Sequence, residues 1–358
     1  MRSLPQLWSP SAQAPSSASD RSIMISPRTG ILAAGNFIVD YVKIVDHYPQ
    51  QDMLASILSE SQANGGGPYN VLKDLAAMQA GFPLAACGLV GDDANGRWIR
   101  SDCEAHGIDT TQLHSTSERS TSYTDAMTVQ STGRRTFFHQ RGANALFDVS
   151  HCDCTRTDAR ILHLGYLMLL DHMDSFDANG QTHASRLLML AQQAGLETSV
   201  DMVSTENPQF RGIALSSLPF TDHLIINEIE ASRVLSRTLK ADDFQGLLTA
   251  AQEILQLGVT QSVTIHVEHG AAACTRLGET HIQSSLNLPA GYSQGATGAG
   301  DAFAAGLLYG VHERLLLADR LFLAVCSAAA SLSHPTPSGG MRPLGDCLAL
   351  AGQFGFRF

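Results

Sequence analysis

The sequence predicts an α/β fold in which a mostly parallel central sheet is accompanied by a smaller second sheet. Three observations support this fold class. The chain has 358 residues, 44% of them apolar and 16% charged, which is enough for one large globular domain. From residue 160 onward, short apolar strands alternate with helical segments, as they do in parallel sheets. Residues 121–140 alternate in polarity on either side of a Gln-Ser-Thr-Gly turn, which is typical of a hairpin.

The N-terminal segment 1–28 differs in composition from the rest of the chain. It is rich in Ser, Pro and Ala and shows no helical or strand periodicity, so we expect a disordered tail before a single domain over 29–358. It lacks the apolar core of a secretory signal, and Met24 is a second candidate for the translation start. No stretch approaches the roughly 18 apolar residues of a membrane span, so we expect no membrane partner.

The charge and the cysteines narrow the class of protein. A net charge of −11 argues against nucleic acid as the main partner, because phosphate backbones are bound by basic surfaces. Seven cysteines, an odd number in mostly apolar settings, indicate the reduced thiols of a cytoplasmic protein. Residues 151–154, His-Cys-Asp-Cys, could be part of a metal site, but no second ligand pair follows at zinc spacing. We therefore interpret them as a loop.

The first half of the chain places an acid and a glycine run close to strand ends. Asp40 lies among apolar residues just after a predicted buried strand over 31–36, where open α/β sheets bind ligands. A solvent-facing acid on an edge strand is the alternative. The three glycines 65–67 would let a ligand approach the backbone closely. The other elements predicted here are strands over 55–61 and 84–90 and helices over 68–80 and 94–106.

The second half supplies the strands and helices of the parallel sheet. Asp171 and Asp201 follow predicted strands, and either could face a cleft or be structural. The predicted strands cover 161–164, 198–201, 223–226 and 262–266, and the predicted helices cover 181–194, 228–236, 242–257, 301–313, 318–332 and 345–354.

Residues 295–303 combine a glycine loop with the start of an apolar helix. Such a loop leaves free N–H groups at the positive end of the helix dipole, where phosphate is attracted. Asp301 lies at the same end, where it can take a proton from a hydroxyl that attacks the phosphate. Taken alone, the pattern equally fits an ordinary turn followed by a helix cap.

A second polar pair, Asn227 and Glu230, lies at the end of a predicted strand. Their spacing of three residues places them on one face of a helix start. Such a pair can hold Mg2+ through water, since this ion loses its water reluctantly. A purely structural helix-capping pair is the alternative.

Residues 297–301, Thr-Gly-Ala-Gly-Asp, resemble the C-terminal signature of the ribokinase-like (PfkB) carbohydrate kinases. Other landmarks of that family occur in the same order, and the resemblance covers about 31–345. It implies a three-layer α/β sandwich with a mostly parallel sheet and a small β-sheet lid, the lid being formed by about 38–62 and 120–141. The matching landmarks are Asp40, Gly66-Gly67 with Asn70, Gly91-Asp92-Asp93 with Gly96, Gly142-Ala143-Asn144, and Asn227 with Glu230.

The resemblance implies transfer of the γ-phosphoryl group of ATP to a hydroxyl of a sugar or sugar-like substrate, with ATP and Mg2+ as cofactors and a homodimer formed through the lid. It assigns Asp301 as general base. The N–H groups of Gly298, Ala299 and Gly300 would receive charge from the phosphoryl group. The substrate would be held by Asp40, Gly66, Gly67, Asn70, Arg141 and Asn144, the nucleotide by Asn227, Thr297 and Gly270, and Mg2+ by Asn227 and Glu230 through water.

The sequence departs from the family pattern at two places. Gly295 stands where relatives usually carry an Asp that helps bind a potassium-type ion, so we expect weak or absent activation by monovalent cations. Ile265 and Val267 replace the Thr and first Gly of a string that contacts the nucleotide in many relatives, whereas Gly270 keeps that pattern.

Several functions remain compatible with the sequence. A nucleoside kinase of the same fold also uses an Asp at the first strand end. A lyase-like relative that cleaves nucleosides would not need the loop at 297–301. A catalytically silent sugar sensor is compatible with the departures at 265, 267 and 295. The sequence does not name the sugar, although Arg141 would also suit a sugar acid, because arginine binds carboxylates bidentately.

Overall fold

The computed structural model describes residues 28–358, which form a three-layer α/β sandwich and a small second sheet. The strands are β1 Ile31–Gly35, β2 Ile38–Val45, β3 Ile57–Gly65, β4 Leu84–Gly91, β5 Asp109–Thr116, β6 Tyr123–Val129, β7 Arg135–Gln140, β8 Ile161–Leu167, β9 Glu197–Met202, β10 His223–Asn227, β11 Ser262–Val267, β12 Gly270–Thr275 and β13 Thr280–Ser284. The helices are α1 Gly67–Ala77, α2 Ala94–Ala105, α3 Asp171–Asp174, α4 His183–Gln193, α5 Phe210–Ser217, α6 Glu228–Leu235, α7 Phe244–Gln256, α8 Ala299–His312, α9 Leu317–Ser331 and α10 Leu344–Phe354.

The central sheet has nine strands in the order β13-β12-β11-β10-β9-β8-β1-β4-β5. All neighbours are parallel except β11–β12 and β12–β13, which form antiparallel hairpins at one edge. The inner strands are buried on both faces, as the apolar run of β1 shows. The carboxyl ends of the parallel strands therefore meet at one edge of the sheet, where α/β proteins of this kind bind ligands.

Two hydrophobic cores lie on opposite faces of this sheet. One packs the sheet against α4, α5, α6 and α7, and the other packs it against α1, α2, α8, α9 and α10. The predicted three-layer sandwich is confirmed. All seven cysteines are buried and free.

The second sheet is the predicted lid. Its strand order is β3-β2-β6-β7, with β2 parallel to β6 and the other pairs antiparallel. Its strands lie within residues 38–65 and 123–140, and large apolar side chains are exposed on these strands and on the loop before β3. These are Met53, Leu54, Ile57, Leu58, Phe137 and Phe138, of which Leu54 is the most exposed at 82%.

Several strands of the structure were not predicted from the sequence, and their composition explains why. The edge strand β5 is polar, Asp-Thr-Thr-Gln-Leu-His-Ser-Thr, and β12 contains three alanines, which have low strand propensity. The predicted tail 1–28 lies outside the described residues except for Arg28. The guanidinium of Arg28 donates to the carbonyls of Thr157 at 2.7 Å and Ala194 at 2.7 Å, so this residue belongs to the folded domain. No helix between residues 28 and 358 is long and apolar enough to cross a bilayer.

Candidate active site

Asp301 lies in the first turn of α8, and only 5% of its surface is exposed. Both carboxylate oxygens accept a hydrogen bond from another element. The Nδ2 group of Asn70, on α1, donates to Oδ2 at 2.8 Å, and the hydroxyl of Tyr166, on β8, donates to Oδ1 at 2.7 Å. The carboxylate is therefore held in one orientation at the carboxyl edge of the sheet.

The protonation of Asp301 is set by two opposing effects. Burial raises the pKa of the Asp301 carboxyl to about 6, and the hydrogen bonds from Asn70 and Tyr166 limit that rise. At neutral pH the carboxyl is mostly ionised, yet it is a stronger base than an exposed aspartate. This balance suits a group that takes a proton during a reaction.

The loop before α8 is shaped by Gly298. This residue is the N-cap of α8, with a left-handed φ of 80°, and a β-carbon there would lie 2.6 Å from Cα of Pro337. Glycine is thus required for both conformation and space. Ala299 and Gly300 then open the helix, so their N–H groups lie at its positive end.

Asp40, on the lid, lies within electrostatic reach of Asp301. Asp40 lies on β2, and a β-carbon at Gly65 of the neighbouring β3 would collide with its carboxylate. Burial raises the pKa of Asp40 to about 7; the Thr124 hydroxyl lowers it, and the charge of Asp301 raises it further. The structure therefore places the predicted substrate acid within electrostatic reach of the predicted base.

Two glycines allow this close assembly. Gly66 has a φ of 88° and caps α1, and a β-carbon there would collide with the carbonyl of Asn36. A β-carbon at Gly67 would lie 2.7 Å from the ring of Tyr166. Gly67 thus makes room for the tyrosine that contacts Asp301.

Tyr166 was not found by sequence reasoning. It lies in an apolar strand and has no polar neighbour in the sequence that signals a site. Its backbone N–H donates to Oδ1 of Asn36 at 2.5 Å, and Asn36 follows β1 directly. Only the spatial meeting of β8 with α8 shows its contact with the base.

Two of the predicted substrate residues have other partners. Asn144 is fully buried, and its side chain donates to the carbonyl of Phe37 at 3.3 Å and accepts from the N–H of the same residue at 3.5 Å. Arg141 forms an ion pair with Asp171 at 3.0 Å. Asn144 therefore fixes the connection between β1 and β2, and Arg141 already has an acidic partner.

Asn227 and Glu230 form a capping box at the start of α6. The Asn227 side chain accepts from the backbone N–H of Glu230 at 2.9 Å, and the Glu230 carboxylate accepts from the backbone N–H of Asn227 at 2.8 Å. The hydroxyl of Ser204 also donates to Glu230, at 2.8 Å. The structural alternative weighed for this pair is thus present, and the predicted water-mediated Mg2+ contact stays a prediction.

Asp201, near the end of β9, interacts electrostatically with Glu230. It is 6% exposed, and burial together with the charges of Glu230 and Asp301 raises its pKa well above the ordinary value. Burial also raises the pKa of Glu230, to about 7. Asp201 therefore lies within electrostatic reach of both Glu230 and Asp301.

An apolar cleft of about 660 Å³ lies on the other side of the α8 N-terminus. Gly270 lines it, as the nucleotide prediction requires, and Val267 forms part of its wall, whereas Ile265 is buried in the core. The cleft is large enough for a nucleobase and ribose. Its walls include His266, Leu286, Leu288, Ala299, Gly300, Phe303, Ala329 and Leu332.

Thr297, the last predicted nucleotide residue, contacts the lid. Its hydroxyl accepts a hydrogen bond from the guanidinium of Arg135 at the start of β7. Sequence reasoning did not single out Arg135, because a cation beside a hairpin turn is usually only a solvated surface group.

Comparisons with known proteins assign the chain to a family. The sequence model of the pfkB family carbohydrate kinases matches residues 28–342. The chain belongs to the PfkB family of carbohydrate kinases. It is therefore a phosphotransferase that acts on a sugar or nucleoside.

Individual relatives show how broad this PfkB family is. The chain is 27% identical to an ATP-dependent ribose-1-phosphate kinase of Halopiger xanaduensis over 283 residues, which cover 78% of this chain and 83% of the relative. Its fold resembles Arabidopsis thaliana ribokinase complexed with ribose and ATP, with a TM-score of 0.71, 21% identity, and coverage of 91% and 99% of the two chains. It also resembles a Methanocaldococcus jannaschii nucleoside kinase, with a TM-score of 0.69, 16% identity, and coverage of 90% and 98%.

Proposed function

We propose that this PfkB kinase transfers the γ-phosphoryl group of ATP to a hydroxyl of a ribosyl or related sugar substrate, with Asp301 as general base. One observation carries the proposal. The Asp301 carboxylate is buried at the N-terminus of α8, is oriented by Asn70 and Tyr166, and has a pKa of about 6. A base in this state can accept the proton of an attacking hydroxyl at neutral pH.

The other groups at the sheet edge have separate tasks in this reaction. Asp40, on the lid, and Asn70 orient the acceptor hydroxyl towards Asp301. The N–H groups of Gly298, Ala299 and Gly300 lie at the positive end of α8 and stabilise the charge on the transferring phosphoryl group. Closure of the lid excludes water, which would otherwise hydrolyse ATP.

Asp201, Asn227 and Glu230 are the residues that would hold Mg2+. Their oxygen atoms suit this ion, and the repulsion between buried Asp201 and Glu230 is what a divalent cation would relieve. Glu230 would contribute through water, because its oxygens already accept the bonds of the capping box. When bound, Mg2+ neutralises charge on the phosphates.

Two observations support a ribosyl acceptor: the substrates of the relatives, and the ion pair between Arg141 and Asp171. The relatives reported above are kinases of ribose 1-phosphate, of ribose and of nucleosides, all of which relate to ribose. A sugar acid would have to displace Asp171 from Arg141, whereas a neutral ribosyl group requires no such exchange. The nucleoside kinase and the silent sugar sensor are the alternatives that the experiment separates.

The test is ADP release from Mg-ATP across ribose, ribose 1-phosphate, other sugars, sugar acids and nucleosides, with the native protein beside Asp301→Asn. We expect substrate-dependent release that falls by about 10²–10⁴-fold in Asp301→Asn, while binding of the substrate is retained. Near-normal turnover of Asp301→Asn would contradict the role of the base. A flat panel with intact thermal shifts by ligands would favour the silent sensor.

We also propose a homodimer formed through the lid. The exposed apolar side chains of Met53, Leu54, Phe137 and Phe138 lie on its strands and on the loop before β3, and patches of this kind mark interfaces. Light scattering should give twice the 38.2 kDa mass of the chain, and a paired Leu54→Asp and Phe138→Asp variant should give the monomer. A native protein that is monomeric at micromolar concentration would contradict this proposal.

A further inference from the structure

Arg135 connects the lid with the phosphate-binding loop. It is the first residue of β7, in the lid, and its guanidinium donates to the hydroxyl of Thr297 in the core. Thr297 immediately precedes Gly298, the N-cap of α8. The guanidinium therefore lies at the loop where the phosphoryl group would be bound.

Gly295 makes room for this side chain. A β-carbon at Gly295 would collide with the guanidinium of Arg135, and it would lie 3.2 Å from Cα of Pro335. A side chain at position 295 would thus require the guanidinium to shift from its present place. Because glycine has no carboxylate, residue 295 also cannot form an ion pair with the guanidinium of Arg135.

The charges around the site favour a further cation there. Asp201 and Asp301 are buried and Asp40 is half-buried, and the interactions that shift their pKa values include no lysine or arginine. The phosphates of ATP must approach this cluster of acids. Mg2+ would offset part of the repulsion between the acids and the phosphates, and a guanidinium beside the loop would offset more of it.

Arg135 is suited to supply that charge. Lys43, Lys73 and Arg141 each form an ion pair with an acid, whereas within residues 28–358 Arg135 has no carboxylate partner within 4.0 Å. It is half-buried, and its burial lowers its pKa. A partly buried guanidinium without a counter-ion is unfavourable, and an anion beside it would relieve that cost.

We propose that the guanidinium of Arg135 contacts the phosphoryl group during transfer and acts as a catalytic residue delivered by the lid; this rests on the proposed function. The oxygen of the acceptor hydroxyl forms a bond to the γ-phosphorus, and its proton goes to Asp301. The bond from the γ-phosphorus to the β,γ-bridging oxygen breaks, and its electron pair stays on ADP. Arg135 remains protonated and binds the oxygens of the phosphoryl group in transit.

This arrangement couples chemistry to the closed lid. Because Arg135 belongs to β7, its charge reaches the loop before α8 only when the lid covers the cleft. ATP bound without an acceptor, under an open lid, lacks that charge. The enzyme would then transfer phosphate to its substrate in preference to water.

The test compares Arg135→Ala and Arg135→Lys with Arg134→Ala, an exposed neighbour on the same turn. We expect Arg135→Ala to lower kcat by about 10²–10³-fold, the range seen when one charge-stabilising donor is removed. ADP affinity should change less than about threefold, because ADP lacks the transferring group. Arg135→Lys should recover part of kcat, and added guanidinium should partly rescue Arg135→Ala. Arg134→Ala should match the native protein.

A second measurement needs no turnover. Aluminium fluoride with Mg-ADP imitates the transferring phosphoryl group, and in the presence of an acceptor, which closes the lid, it should tighten ADP binding in the native protein and in Arg134→Ala but not in Arg135→Ala. Retained tightening in Arg135→Ala, or a kcat within about threefold of native, would overturn the role of Arg135. If Asp301→Asn is inactive while Arg135→Ala is normal, only this inference fails. If no substrate gives activity and fluoride tightens nothing, the proposed function fails.

Discussion

The two sides of the α8 N-terminus are formed by different kinds of residue. The acceptor side contains Asp40, Asn70, Tyr166 and Asp301, and the nucleotide side is the cleft of about 660 Å³. On the acceptor side, Asp301 is fixed by directed hydrogen bonds from Asn70, which is buried, and Tyr166, which is half-buried. On the nucleotide side, the cleft is lined mostly by apolar side chains and glycines. Its histidine, His266, packs against Phe303 with ring centroids 5.0 Å apart, and burial lowers its pKa to about 4, so the ring is neutral.

This difference indicates where the chain tolerates change. A site made by directed hydrogen bonds depends on the identity of each side chain, whereas a site made by shape and backbone depends mainly on volume. The departures from the family pattern at Ile265 and Val267 fall on the nucleotide side. Ile265 is part of the core and Val267 is part of the cleft wall, so both are compatible with a nucleotide held by shape.

The largest contrast is expected from one variant on each side. Asn70→Leu keeps the branched shape of the side chain but removes the donor to Asp301 and the acceptor of a 2.7 Å bond from Asn64. Because the base is then misplaced, kcat should fall by about 10²-fold. Val267→Ala serves as the matched variant of the nucleotide side. It should leave kcat within about threefold and change mainly the KM for ATP.

Steady-state kinetics with both substrates varied checks this contrast. If Val267→Ala lowers kcat as much as Asn70→Leu, the two sides do not differ in the way described. Thermal denaturation of each variant separates loss of catalysis from loss of folding.

Monovalent cations should have the smallest effect. Gly295 has no carboxylate to bind such an ion, and the guanidinium of Arg135 occupies the space beside it. We expect activity to change less than about twofold when potassium replaces a bulky organic cation at constant ionic strength and fixed Mg2+. Strong potassium dependence would show that a cation site exists without the carboxylate of position 295.

Sequence patterns predicted the residues whose role depends on local geometry. The glycines at 66, 67 and 298, and Asp301 itself, lie in turns or helix starts that a short stretch specifies. The spacing of Asn227 and Glu230 was also informative, but it could not separate a capping box from a metal site. Both uses require the same two side chains on the same face of a helix start.

The missed residues depend on contacts between distant segments. Tyr166 reaches Asp301 across 135 positions of sequence, and Arg135 reaches Thr297 across 162. In sequence, one is an aromatic residue of an apolar strand and the other a cation beside a turn. Only the packing of β8 and of the lid against the start of α8 brings these side chains to Asp301 and Thr297.

The measurement that tests the central claim most directly is the pH dependence of kcat/KM in the native protein and in Tyr166→Phe. Asp301 must be ionised to act as a base, so kcat/KM should fall as the pH drops through about 6, below any decrease caused by Asp40 and Glu230, whose pKa values are about 7. The Tyr166 hydroxyl lowers the pKa of Asp301, so its removal should raise that pKa and move the acid limb to higher pH. A native profile flat to pH 4.5, or an acid limb unmoved in Tyr166→Phe, would contradict the assignment of Asp301 as the oriented base.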